Sequence, residues 1–371
     1  MIRADIAVIG GGIAGASVAA ELAVHADVLL LEAEDHPGVH ATGRSAAFWS
    51  ETYGGPGVQP LTSASGPFLH SPPAEFASRG FLRPRGAVHL ARSAAGGRLD
   101  ALLDSFADSA VRLSRLPAAD VRRVLPGVRF DWANGVAEPD CSDIEVAALH
   151  AAYLTAFKRK GGRVLTGARL RRTDRGAMGW RIAASGHAIA CTTLVNAAGA
   201  WADDVARIAG VRPLGIRPYR RTVVQLRVDP PAPTDLPLVI DIEGGFYFKG
   251  ESGGRIWLSP HDETPCAAGD VAAEELDVAR AIDRLQQVVD WRVERVERSW
   301  AGLRSFAPDR LPVYGFDRDV PGLFWCAGQG GFGIQTAPAA ARLAAALLLG
   351  AAPDAGVAHI DPMAYAPGRF G

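Results

Sequence analysis

Apolar runs of strand length alternate with glycine-rich turns and helix-forming stretches at both ends of the chain, and longer alternating strands fill its middle. The clearest instance is IAVIGGGIAGASVAAELAVHADVLLLE, residues 6 to 32. A buried-type strand, a glycine turn, an alanine-rich helix and a second apolar strand closing on Glu32 follow one another directly. Gly10 predicts a tight turn out of the first strand, Gly12 a close approach of backbone to a pyrophosphate, and Gly15 tight packing of helix on sheet. The helix beginning near Ile13 turns its N–H groups and positive end toward phosphates. Glu32 stands where a carboxylate accepts hydrogen bonds from an adenosine ribose. A 2′-phosphate is repelled there, so the pattern predicts FAD or NAD rather than NADP.

Further along, residues 86 to 92 (GAVHLAR) predict a strand, and Leu99, Leu102, Leu103, Phe106, Ala110 and Leu113 form a helical stripe over Gly97 to Arg115. Ser142 and Glu145 have the spacing of a capping box before Ile144, Val146, Leu149, Tyr153 and Phe157, with Gly161-Gly162 ending that helix. Strands follow at 163 to 170, 180 to 184 and 188 to 197, the last entering the small-residue turn Ala197-Ala198-Gly199 and another helix. From Arg217 to Ser259 the pattern becomes antiparallel, with a hairpin turning at Glu251-Ser252-Gly253-Gly254. A helix over 272 to 290, with Leu276, Ala279, Ile282, Leu285, Val288 and Val289 inward, covers that sheet. A strand at 293 to 300, then LFWCAG, the turn GQGGFG and a helix over 334 to 350 complete the chain.

The 371 residues, 48% of them hydrophobic, suffice for a large core in one to three domains. A net charge of −1 supplies no field for nucleic acid. Cys141, Cys191, Cys266 and Cys326 lie far apart, which suggests neither a zinc site nor a disulfide framework and fits a reducing cytoplasm. The apolar N-terminus is itself the nucleotide strand, so no secretory signal is expected. The Ala- and Leu-rich stretch 337 to 351 is too short and too interrupted for a bilayer span. Only Lys158, Lys160 and Lys249 are lysines, which gives imine chemistry little support.

His36 and His40 have the spacing of a helical metal pair, but Pro37 and Gly38 between them forbid the helix. The segment GRSAA after them is small enough to lie against a cofactor. Residues 48 to 70, with Phe48, Trp49, Tyr53 and Phe68, read as a covering loop or a packed loop–helix junction. At the far end, Gly328, Gly330, Gly331 and Gly333 converge backbone N–H groups and a helix end on one point, which suits negative charge on a reduced flavin.

MIRADIAVIGGGIAGASVA, ATGRSAA, LVNAAGAW, SWAGLRSFAPDRLPV and FWCAGQGGFGIQTAPA, in this order, resemble the D-amino-acid oxidase family of flavoproteins, most of all bacterial D-amino-acid dehydrogenases of the D-arginine type. The resemblance implies an α/β fold in which a Rossmann-like FAD-binding domain (1–85, 141–213, 299–371) is interleaved with an α+β substrate domain on a mainly antiparallel sheet (86–140, 214–298). It implies noncovalent FAD and oxidation of D-amino acids to imino acids, with oxygen or a quinone as electron acceptor. FAD contacts are then expected from Gly10, Gly12, Ile13, Ala14, Gly15, Glu32 and Ala33, and from Thr42, Gly43, Arg44, Ser45, Ala46 and Ala47. Val164, Ala198, Gly199 and Trp201 join them, as do Gly328, Gly330, Gly331, Phe332, Gly333, Ile334 and Gln335. Arg221 and Arg304 stand where the family clamps the substrate carboxylate, Tyr247 where a phenol adds a contact, and Tyr53 where a mobile-loop tyrosine closes the site. Gly331 and Gln335 match positions offering a carbonyl and an amide near the amine. On the residues by themselves, Arg220 and Arg221 are equally good candidates.

Where the arginine-specific relatives carry a glutamate, a loop histidine and a turn tyrosine, this chain has Ala87, Phe48 and Phe332. All three changes remove polarity, so neutral, apolar side chains are expected over D-arginine, with Glu51 the one loop carboxylate able to substitute. The same fold and cofactor also serve glycine and sarcosine oxidases, secondary-amine and 2-hydroxy-acid dehydrogenases, and flavin subunits of larger complexes. An NAD-linked dehydrogenase is the remaining alternative.

Overall fold

The computed structural model describes every residue except Ala177. Three strands of uninterrupted apolar character, Ile6–Ile9, Val28–Leu31 and Leu323–Ala327, lie with Thr193–Asn196 in one sheet because only burial on both faces suits such runs. Arg163–Leu165 extends it in parallel at one edge and Val313–Phe316 closes the other antiparallel. The helices Ile13–Leu22, Val146–Arg159 and Gly333–Leu349 cover one face, where Leu22, Leu30, Phe157, Phe324 and Leu343 are fully buried. Each such side chain contributes about 1.5–3 kcal/mol. A four-stranded sheet and the helix Ala202–Ile208 cover the other face.

The rest of the molecule is built on a ten-stranded, mainly antiparallel sheet. At its centre Arg217–Asp229 and Arg292–Phe306 pair along their length, from Arg217 opposite Phe306 to Asp229 opposite Arg292. The helix Glu275–Val288 packs on one side of that pair. The molecule is thus an α/β fold of Rossmann-like type joined to a large antiparallel sheet, and the chain passes repeatedly between the two.

Several local expectations change. Ser142–Ile144 is a strand pairing with Phe48–Trp49 and with Leu82–Pro84, so Ser142 cannot cap the following helix. Its hydroxyl donates to the Asp140 carbonyl, while Glu145 pairs with Arg83. The helix expected to reach Arg115 is Gly96–Ser105, and Ser114–Leu116 has joined the sheet. In Glu275–Val288 the buried positions are Asp277, Ala281, Leu285 and Val288, whereas Leu276 is exposed. Asp277 is inside because it pairs with Arg220. The strand expected at 293 to 300 runs on to Phe306, so the boundary placed at 299 falls within it. Among the described residues, no helix is long and apolar enough to cross a membrane.

Candidate active site

A cavity of about 450 Å3 runs from the N-terminal glycine turn to the central strand pair. Gly10, Gly12, Ile13, Ala14, Glu32 and Ala33 line one end, Thr42, Arg44, Ser45 and Ala46 one wall, and Ala198, Gly199 and Trp201 the opposite wall. Arg221, Arg304, Gly330, Gly331, Gly333 and Ile334 line the far end. The two helix N-termini that line it, at Gly12-Ile13 and Gly333-Ile334, fit a dinucleotide. A Cβ on Gly15 would run into the Gly10 carbonyl, which is why the helix can lie so close to the strand. Glu32 accepts from the amides of Gly11 at 2.8 Å and Glu34 at 2.9 Å, so the turn sets its orientation. Thr42 Oγ1 accepts from the Ile13 amide at 3.0 Å, in the place of a helix cap.

Other expected contacts lie off this cavity. Val164 packs into the core beneath the helices, and the chain instead meets the cavity at Ala168, Arg169, Leu170 and Arg171, for which the sequence carries no motif. Gly43 donates to the Gly38 carbonyl, Gly328 turns the chain in a left-handed conformation, and Phe332 is wedged between Tyr53 and Phe306. Ala47, Tyr53 and Gln335 border a separate void of about 10 Å3 beside Arg304.

The far end is organised by register. Arg221 lies opposite Gly302 and Tyr219 opposite Arg304, so alternation along the two strands puts Arg221 and Arg304 on one face as diagonal neighbours. The same alternation sends Arg220 to the other face, onto Glu274 and Asp277. Arg221 is only 3% exposed; its Nε donates to the Asp262 carbonyl at 2.7 Å and its Nη2 to Glu263 at 3.0 Å. Its Nη1 is buried with no partner among the described residues. Burial, reinforced by the charge of Arg304, holds Arg221 below the ordinary arginine range, so an anion between the two guanidiniums is favoured. Arg304 donates to the phenol oxygens of Tyr53 and, at 3.3 Å, of Tyr247. A Cβ on Gly331 would strike Arg304 and Tyr53, so Gly331→Ala is expected to lower the affinity for a carboxylate ligand about tenfold, by titration of the holoprotein.

Four residues that sequence reading missed support this end. Glu138, 1% exposed, accepts from the Ser50 hydroxyl at 3.0 Å, the Glu51 amide at 2.8 Å and the Thr52 hydroxyl at 2.7 Å. His89 Nε2 donates to the same carboxylate at 3.0 Å. Burial alone would raise the Glu138 pKa, but the His89, Thr52 and Ser50 contacts outweigh it and lower it. Its only trace in the sequence is an acid ending a strand, NGVAE. Gln335 completes the support rather than offering a free amide: it accepts from Ser50 N and donates to Tyr53 O and Thr62 Oγ1. Glu51 turns to the Ser63 hydroxyl. His261 donates from Nδ1 to the Gly244 carbonyl at 2.9 Å, and burial with the charges of Arg221 and Arg304 depresses its pKa to about 3, so its ring is neutral. Glu263 is the fourth. Phe48 packs edge-on against Tyr53 and Tyr247, with Ala87 and Leu238 in the same apolar cluster.

Glycine oxidase from Pseudomonas putida is 30% identical over 189 residues, covering 49% of this chain and 47% of that protein. The hydrogen cyanide synthase subunit HcnC from Pseudomonas aeruginosa is 28% identical over 230 residues, covering 60% and 52%. The chain thus spans about half the length of such curated relatives. The solved glycine oxidase of Geobacillus kaustophilus superposes with a TM-score of 0.83 at 23% identity, covering 97% of this chain and all of the other, a likeness of fold. The family model described as FAD dependent oxidoreductase (DAO) matches residues 5–347, which include the glycine turn, both arginines and the C-terminal glycines. The glycine turn, Glu32 and the two helix N-termini that line the cavity suit FAD, and the chain belongs to the DAO family of FAD-dependent oxidoreductases.

Proposed function

We propose that the protein oxidises the carbon–nitrogen bond of a small amino acid with a free carboxylate, glycine and its short or N-substituted kin foremost. The observation that carries this reading is the buried Arg221 with an unpartnered Nη1, diagonal to Arg304 at the end of the FAD cavity. FAD, when bound, supplies the hydride acceptor. Arg221 and Arg304 receive the carboxylate and so fix the neighbouring Cα–H bond in one orientation. Tyr53 and Tyr247 hold Arg304 and, with Phe48, wall the site from water. No charged base is required of the chain if the amine binds neutral, and the neutral His261 ring suits that.

The broader expectation of D-amino acids with apolar side chains gives way to this one. Phe48 packs edge-on against Tyr53 and Tyr247, the two phenols that hold Arg304, which crowds that end of the site, and the glycine oxidase among similar proteins supports a short side chain. The carboxylate opposite Ala87 is Glu138, already taken by Ser50, Thr52 and His89, and Asp143, opposite Phe48, is taken by Arg85 and Lys249, so neither is free to receive a long cation. The test is anaerobic bleaching of the flavin by glycine, sarcosine, D- and L-alanine, D-leucine, D-arginine, lactate and glycerol 3-phosphate. The smallest amino acids are expected to reduce it fastest and D-arginine slowest. Fastest reduction by lactate or glycerol 3-phosphate would overturn the reading, and admitting air afterwards tells oxygen from another acceptor.

A further inference from the structure

We propose that Glu263 sets the charge of the arginine clamp, so that the site accepts a monoanionic carboxylate and disfavours dianions. The inference rests on the reading of Arg221 and Arg304 as the carboxylate clamp. Glu263 bridges two guanidiniums: Oε1 lies 3.0 Å from Arg221 Nη2, and both oxygens accept from Arg310 Nη2, at 2.7 and 2.9 Å. Arg310 is held in turn, its guanidinium 3.8 Å from the centre of the Phe306 ring. Arg221 lines the cavity and Glu263 does not, so the carboxylate acts on the clamp from behind and leaves the orphan Nη1 to a ligand.

Counting the cluster gives its preference. Arg221, Arg304 and Arg310 are cationic; Glu263 and Asp262 are anionic, the latter accepting from Thr222 N and Oγ1. His261 is neutral. One positive charge remains, which a single carboxylate cancels and a dianion overshoots. Arg221 and Arg304 alone, without the carboxylates behind them, would draw a phosphate or dicarboxylate strongly. Glu263 is about one-third exposed (32%) and Arg310 half exposed (50%), so solvent weakens the effect to a selectivity term rather than an absolute barrier.

Malonate and malonamate have nearly the same shape and differ by one charge. Each is titrated into the FAD-loaded protein, at a pH where malonate is doubly ionised, and the flavin absorbance band is read. In the wild type malonamate is expected to bind more tightly. Glu263→Gln should move the ratio of the two Kd values about tenfold toward malonate, and Arg310→Gln should move it the opposite way. If Glu263→Gln fails to fold, the sign of the Arg310→Gln shift decides. Ratios unchanged within about twofold, with malonamate still titrating, would overturn the role of Glu263 and leave the clamp intact. A wild-type flavin band that neither ligand perturbs would overturn the clamp and this inference together.

Discussion

Arg304→Ala is expected to lower kcat/KM for the proposed amino-acid substrate by about thirty-fold to a few thousand-fold, while FAD content stays near that of the wild type. Truncating one member of a buried, hydrogen-bonded charge pair costs about 2–5 kcal/mol, and about 1.4 kcal/mol is a factor of ten. The upper part of the range is expected because Arg304 is tied to both phenols: its loss frees Tyr53 and Tyr247 as well as half of the clamp. Arg304→Lys should recover little, since one ammonium cannot span a carboxylate and two phenol oxygens as the planar fork does. Anaerobic flavin reduction and the Kd of a carboxylate inhibitor together check this. A change below about threefold in both would remove Arg304 from substrate binding.

Glu138→Ala is expected to destabilise the holoprotein by about 3–5 kcal/mol, because His89, Thr52 and Ser50 stay buried around a missing charge. At about 2–4 °C per kcal/mol for a large domain, the melting temperature falls by roughly 6–20 °C, readable from release of flavin fluorescence. Glu138→Gln, which keeps the shape and one acceptor, should lose less. The pH dependence has a definite sign. The folded-state pKa lies below the ordinary 4.5, so this carboxylate's contribution is complete above that value and is lost as the pH falls through the lower folded value. A melting temperature within about 2 °C of wild type for Glu138→Ala would show that the loop bearing Tyr53 is held by something else.

The nucleotide half of the molecule was legible because its signals are local. Uniformly apolar strands, Gly10 at a left-handed turn and an acid closing the second strand are properties of neighbouring residues, and they produce the same geometry wherever they occur. The capping box failed for the opposite reason: Ser142 has the right spacing, but strands formed by residues 48–49 and 82–84 claim its backbone first. Leu276 and Asp277 exchanged their expected places because Arg220, far away in sequence, needed a buried partner.

From sequence by itself came the parallel sheet, the helix ends aimed at a dinucleotide and, by resemblance, the pair of arginines. Where the residues by themselves left Arg220 and Arg221 equal and only resemblance favoured Arg221, tertiary structure supplied the physical reason, since a strand's two faces are distinguished only by the register of the strand beside it. It also placed Glu138 under residues 50–52 and Glu263 between Arg221 and Arg310. Those contacts join residues 40 to 90 positions apart, and no periodicity in the chain encodes which distant carboxylate a buried guanidinium or loop amide will meet.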